Sequence, residues 1–190
     1  KSPSFLQISI NNGVLYGRLI DIANRGSEIA ILAIGMTLTI AVSAGTDISV
    51  GSVMALVASC CCTSLVGYGV SSASAVKHPI IFGVLFGILI GGICGCFNGF
   101  MVSKLKVQPM VATLVLYTAA RAIGLVVSNN QITYVRVKEY KYLGNFWHIG
   151  NWECPIPTPI FVAIICVILA TILLKKTALG MYIQAVGINP

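Results

Sequence analysis

Charge is what this chain has least of. Of its 190 residues only 9% are Asp, Glu, Lys or Arg, and just five of them are acidic, whereas soluble domains carry roughly a quarter charged residues. A water-facing globular surface is therefore excluded. Histidine is equally scarce, with two in the chain. His78 and His148 fall in connecting loops, Ser-His-Asp partners are absent from the spans, and no phosphate-cradling glycine loop follows a strand. An enzyme is not expected. Also lacking is a basic leader with a cleavable apolar stretch. The chain opens at Lys1 and stops at Pro190, which reads as a piece of a longer protein.

Apolar residues make up 57% of the chain, and they recur in runs of membrane-spanning length. Five runs stand out, at 28–44, 50–70, 79–102, 107–127 and 159–174; the first is slightly short of the roughly 20 residues needed to cross a bilayer. Polar connections lie at 71–78, 103–106, 128–157 and 175–190. Segment 3–26 mixes apolar positions with Arg18, Asp21 and Arg25, as a stretch lying at the interface would. The predicted fold is all-α: a polytopic transmembrane helical bundle with about five spans.

The net charge of +7 does not point to nucleic acid, because the basic residues are scattered between apolar runs and flank them. Lys104, Lys106, Lys175 and Lys176 mark two segments as cytoplasmic, and the two spans between them agree in parity. Lys77, Arg136, Lys138 and Lys141 lie on the other side, three of them in the long loop away from span ends. That loop also holds Tyr134, Tyr140, Tyr142, Phe146, Trp147 and Trp152. Such rings form either an interfacial belt or a docking surface.

Six of the seven cysteines, Cys60, Cys61, Cys62, Cys94, Cys96 and Cys166, lie inside apolar runs, with Cys154 in a loop. Three adjacent thiols cannot easily be set tetrahedrally and hydrocarbon opposes their ionisation, so they read as small core residues and no metal site is expected. Glycines at 83, 87, 91, 95 and 99 in GVLFGILIGGICGCFNG repeat every fourth residue. Gly83, Gly87, Gly91, Gly95 and Gly99 are thus candidates for close, angled helix packing.

What remains is polar groups at membrane depth, costly unless they face a partner, a cavity or an interface. Asp47, in SAGTDISVGS, sits among small and hydroxylated neighbours that suit a helix break. Its carboxylate is expected either to N-cap the helix from Val50 or to meet substrate. Arg121 lies well inside the fourth run, where it can snorkel, line a wet path or pair with a buried acid such as Asp47. Ser49, Asn98, Gln108 and Thr113 are further candidates for a polar route or for bonds between helices.

Three stretches occur in order: AIGMTLTIAVSAGTDISVGSVMAL (33–56), NGFMVSKLKVQPMVATLVLYTAARAIGLVVS (98–128) and TALGMYIQAVGINP (177–190). Together they resemble bacterial ribose-type sugar ABC importer permeases. Asp47, Ser49, Val50, Gly51 and Ser52 fit that family's Gly-x-Asp-Leu-Ser-Val-Gly stretch, with Ile48 where leucine is usual, and the tail is most similar to galactofuranose-type permeases.

The resemblance implies one permease domain over 1–190, lacking the first span and the C-terminal half of a ten-helix subunit in the bacterial inner membrane. It further implies a second permease subunit, cytoplasmic ATP-binding subunits and an extracytoplasmic sugar-binding protein as partners, besides membrane lipid. No cofactor is bound by the chain itself, ATP being used by the partner ATPase. Gly180, Gly187, Asn189 and Pro190 mark the segment expected to lead into the ATPase-coupling loop. An ion-coupled secondary transporter using Asp47 and Arg121 is the competing expectation, and a plain membrane anchor a third.

Overall fold

The computed structural model describes residues 9–11, 14–43, 45–69, 72–73, 79–135, 148–149, 152–153 and 157–188. The helices are α1 (Arg18–Ser43), α2 (Val50–Val66), α3 (Ile80–Ser103), α4 (Pro109–Val127), α5 (Thr158–Lys176) and α6 (Ala178–Ile188). Six two- or three-residue strands accompany them. Ser9–Asn11 pairs antiparallel with Val14–Tyr16, Ser72–Ala73 parallel with Tyr134–Val135, and His148–Ile149 antiparallel with Trp152–Glu153. The chain is an all-α membrane protein in substance: α1, α3, α4 and α5 are each long and apolar enough to cross a bilayer.

The described elements depart from the sequence expectation at three ends. α1 begins at Arg18, so residues 18–26 continue the first span. Arg18, Asp21, Arg25 and Glu28 alternate in sign at three- and four-residue spacings, which supports a helix. The second run stops at Val66 and not at 70. Gly67 and Gly69 take φ of 105° and 76°, a left-handed region that terminates a helix and that glycine enters without a Cβ penalty. At 17 residues, α2 rises about 25 Å and is shorter than α1, α3, α4 and α5. The polar closing segment at 175–190 is instead mostly helical, and α6 exposes Leu179, Met181, Tyr182 and Val186.

Proline punctuates the remaining starts. Pro109 and Pro159 stand in the first turns of α4 and α5, and Pro79 precedes α3, positions where a missing N–H strands no carbonyl. Lys175 and Lys176 occupy the last turn of α5, complementing the negative end of its dipole.

The chain divides into two compact units, Lys1–Leu38 with Lys138–Pro190, and Thr39–Val137. In the first, α5 and α6 pack on each other across a sharp bend at Thr177 (φ −119°, ψ 155°). A Cβ on Gly180 would run into the backbone carbonyl of Leu174, so the bend needs glycine there.

In the second unit α2 lies against both α3 and α4. Leu56, Cys60, Cys94, Leu116 and Ala120 form its buried cluster, with Val53, Ile90 and Val127 packed around it. Cys60 and Cys94 are therefore core residues, as expected, while Cys96 is exposed. Ala112, Leu116, Ala120 and Gly124 are all buried along one side of α4, and a Cβ on Gly124 would sit 3.5 Å from the Leu56 Cα. Outward-facing apolar side chains such as Ile81, at 72% exposure, and Ile88, at 67%, suit a hydrocarbon solvent.

Candidate functional site

The site is built where α1 stops and α2 starts. Ser43 ends α1 by donating from Oγ to the Thr39 carbonyl (2.9 Å) and accepting from the Gly45 N–H (3.3 Å). Gly45 then slides against the ring of Pro109: a Cβ there would lie 2.6 Å from Pro109 Cβ and 2.9 Å from Cγ. A proline ring cannot rotate aside, so the loop can reach this position only as glycine.

Asp47 follows, and its Oδ1 accepts both the backbone N–H of Ser49 (2.8 Å) and the Ser49 hydroxyl (2.7 Å). The N-cap of α2 is Ser49 itself, with φ −77° and ψ −14° and no side-chain capping bond. Asp47 thus takes the Ser49 N–H as the cap reading expected, but the N-cap position itself belongs to Ser49. The Asp47 carboxylate lies two residues ahead of the cap and holds the cap residue in place, still near the positive end of the helix dipole. Both bonds are charge-assisted, the stronger class.

Two other helices brace this turn. From α3, Asn98 donates from Nδ2 to the Ser49 Oγ (3.4 Å). From α4, Thr113 Oγ1 accepts the Ile48 N–H (3.3 Å) while donating to the Met110 carbonyl (3.1 Å). Ser52 Oγ donates to the Ser49 carbonyl (2.9 Å). Ser49, Ser52 and Thr113 are buried, at 2%, 5% and 3% exposure, so their polar atoms depend on these partners and not on water. The Asn98 Oδ1 is buried with no hydrogen-bond partner among the described residues. An acceptor left like this is a standing cost, met when a donor arrives.

Four of the candidates, Asp47, Ser49, Asn98 and Thr113, therefore meet in one node at the same end of the unit as the 104–108 turn. Two do not. Gln108 is exposed and precedes α4, where its carbonyl accepts the Val111 and Ala112 N–H groups. Arg121 is exposed and donates to the Tyr117 hydroxyl one turn back (3.2 Å). It lies eight residues beyond Thr113, about 12 Å along the helix. Beyond the node, the apolar cluster of Leu56, Cys60, Leu116 and Ala120 fills the space between α2 and α4.

The glycine repeat is used in part. A Cβ at Gly83 would meet Leu65 at 2.8 Å, one at Gly87 would collide with the Cys61 thiol, and Gly91 has Val57 at 3.8 Å. Gly95 and Gly99 meet nothing within 4 Å among the described residues. Sequence reading passed over the row Ala112, Leu116, Ala120 and Gly124, although its four-residue spacing is the same signal as the glycine repeat. Of the segment expected to lead toward the ATPase, Gly180 and Gly187 lie in α6, while Asn189 and Pro190 fall outside the described residues. So do Tyr140, Tyr142, Phe146, Trp147 and Cys154.

Comparison with known proteins gives the chain its family. Residues 18–190 match the family described as branched-chain amino acid transport system / permease component. The galactofuranose transporter permease protein of Escherichia coli is 39% identical over 189 residues, covering 99% of this chain and 51% of that protein. The fructose import permease protein of Bifidobacterium longum is 35% identical, covering 97% of this chain and 49% of its own length. The ribose import permease protein of Escherichia coli is 34% identical, with 99% and 53% covered. The chain thus spans about half the length of these relatives. No solved structure matches it significantly. With four helices able to cross a bilayer and a match that runs from the start of α1 to the end of the chain, it is a multi-pass protein of the bacterial inner membrane and belongs to the branched-chain amino acid transport system / permease component family.

Proposed function

We propose that this chain is part of the permease subunit of an ATP-driven sugar importer and contributes to the path of a monosaccharide. The observation that carries the reading is the similarity to galactofuranose, fructose and ribose permeases over 97–99% of its length. The polar node agrees with it. Asp47, Ser49, Asn98 and Thr113 offer hydroxyl, amide and carboxylate groups at membrane depth, and sugar hydroxyls call for many modest hydrogen bonds instead of fixed ion pairs. Asn98, with an acceptor to spare, is the member best suited to greet a hydroxyl. Gln108 and Arg121 belong to the path only if it widens toward them.

On this reading the chain is one partial permease domain without an ATPase site or bound cofactor. A cytoplasmic ATP-binding subunit, a second permease subunit and an extracytoplasmic sugar-binding protein complete the importer. The node then faces the cytoplasm with Lys104 and Lys106, and the bend held by Gly180, together with Gly187, Asn189 and Pro190, leads toward the ATPase. ATP-driven closure of the motor subunits would rock packed helices between two access states.

Sugar uptake into vesicles, with and without ATP and the binding protein, tests the proposal. Uptake requiring both supports it, and uptake indifferent to both defeats it. The ion-coupled alternative draws no support, because Asp47 is engaged by Ser49 and Arg121 by Tyr117, roughly two helical turns away from the node.

A further inference from the structure

A second polar feature lies at the other end of the same helices. A cavity of about 440 Å³ opens between the middle of α2 and the end of α4, within the roughly 300–1,000 Å³ of small-molecule sites. Its polar lining comes from Ser59, Cys62, Ser128, Asn130, Gln131 and Thr133. Ser128 is fifteen residues beyond Thr113, about 22 Å along the helix direction, so this cavity and the Asp47 node mark opposite mouths.

The backbone there is shaped to present side chains. Asn129 and Asn130 both take φ of 53°, a left-handed conformation that asparagine tolerates better than most residues. Their N–H groups donate to the Val126 (3.1 Å) and Leu125 (2.8 Å) carbonyls, and the Gln131 N–H to the Ser128 carbonyl (3.1 Å). These three N–H groups are thereby satisfied. The side-chain amides of Asn130 and Gln131 are exposed, and each carries both donors and an acceptor.

The chemistry of this lining is selective. Among the described residues it contains no Lys, Arg, Asp or Glu, so it offers an ion no counter-charge. Amides and hydroxyls beside the apolar Leu125 and Ile132 match the alternating hydroxyl and C–H faces of a sugar ring. We infer that this cavity is a second carbohydrate site, of low affinity, where a neutral monosaccharide rests at the mouth of the path opposite the Asp47 node. The inference rests on the sugar-import reading.

The full-length permease is reconstituted with its ATPase and binding protein, and uptake of ribose, fructose and galactose is measured for wild type and for Asn130→Ala with Gln131→Ala. Loss of two hydrogen bonds should raise the half-saturating concentration about ten-fold, with the maximal rate within about two-fold of wild type. In a second arm, Thr133→Cys is labelled with a membrane-impermeant maleimide and the label at position 133 is quantified by peptide mass spectrometry, because Cys62 lines the same cavity. The transported sugar at millimolar concentration should slow its labelling several-fold, and potassium glutamate of equal osmolarity should not.

Equal labelling with and without sugar, or unchanged half-saturation in the double variant, overturns the site. Failure of wild type to import any of the three sugars strikes the import reading instead. The labelling arm needs neither ATP nor binding protein, so it still decides the cavity: protection by a sugar upholds it, and no protection by any of the three refutes it.

Discussion

Removing the Asp47 carboxylate should loosen the start of α2, and by an amount that the geometry sets. In Asp47→Ala the Ser49 N–H loses its acceptor at 2.8 Å, and Ser49 is only 2% exposed, so water cannot replace it. The Ser49 hydroxyl fares better, because the unpartnered Asn98 Oδ1 belongs to a side chain already bonded to it and can take over as acceptor. One stranded buried donor costs about 1–3 kcal/mol, which places Asp47→Ala near 2 kcal/mol, on the order of thirty-fold in a folding equilibrium. Asp47→Asn keeps an oxygen at the Oδ1 position and loses only the charge assistance, about 1 kcal/mol or less. Heating the full-length permease at one fixed rate and following the fraction that stays monodisperse gives an operational midpoint for irreversible unfolding. The alanine variant should fall clearly below the asparagine variant, and combining Asp47→Ala with Ser49→Ala should cost less than the sum of the two. Equal midpoints for the alanine and asparagine variants, or no shift with alanine, would refute the bracing role, and loss of ATP-driven uptake in a stable Asp47→Asn protein would show that the charge itself is needed.

The glycines offer a second contrast under the same assay. Gly45→Ala should lower stability by about 1–3 kcal/mol because its Cβ meets the rigid Pro109 ring, and Gly87→Ala should do likewise against Cys61. Gly95→Ala and Gly99→Ala should stay within about 0.5 kcal/mol of wild type, or gain slightly from helix propensity. Gly180→Ala should be the most disruptive substitution, since the obstacle is the Leu174 carbonyl and not a side chain; its yield of monodisperse protein on size exclusion reports this. Thr113→Val, nearly isosteric, strands the Ile48 N–H and should cost about 1 kcal/mol in thermal inactivation. Arg121→Gln should leave ATP-driven uptake within about two-fold, given its exposure and its single bond to Tyr117, and abolition of uptake would revive a charge-coupled path.

Helix ends marked by proline were legible from the sequence: α3, α4 and α5 start within two residues of the predicted runs because Pro79, Pro109 and Pro159 restrict the backbone locally. Hydropathy alone was a poorer guide. It cut α1 short at the charges of 18–28, whose spacing is helical, and ran α2 past Gly67, where a single positive φ outweighs the apolar residues that follow. Both Asp47 and Ser49 are able to cap a helix, and the choice between them depends on Asn98 and Thr113, which arrive from distant parts of the chain. The glycine repeat was visible, but not its reach. At 3.6 residues per turn each four-residue step rotates by about 40°, so Gly99 points roughly 160° away from Gly83, and only the first members face α2. The cavity near Asn130 could not be foreseen from hydropathy, since it is made by a turn and two helix faces. The Asn129-Asn130 pair was its one written sign.

Where Leu56 meets Gly124, α4 carries no side chain and the α2 backbone comes within 3.5 Å of where a Cβ would stand. Such a seam has little slack, because packed groups resist compression and no long side chain from Gly124 can change rotamer. α2 and α4 must then behave mechanically as one rod. Its ends are tied too: Ile48 to Thr113 at one (3.3 Å), and Thr63 and Tyr68 to the Val127 and Val126 carbonyls at the other (3.3 and 3.4 Å). A force applied at the Pro109 end would be delivered about 28 Å away at Ser128 with little loss. Staples placed across this seam would leave motion untouched, and any staple that arrests it has to bridge this rod to something else.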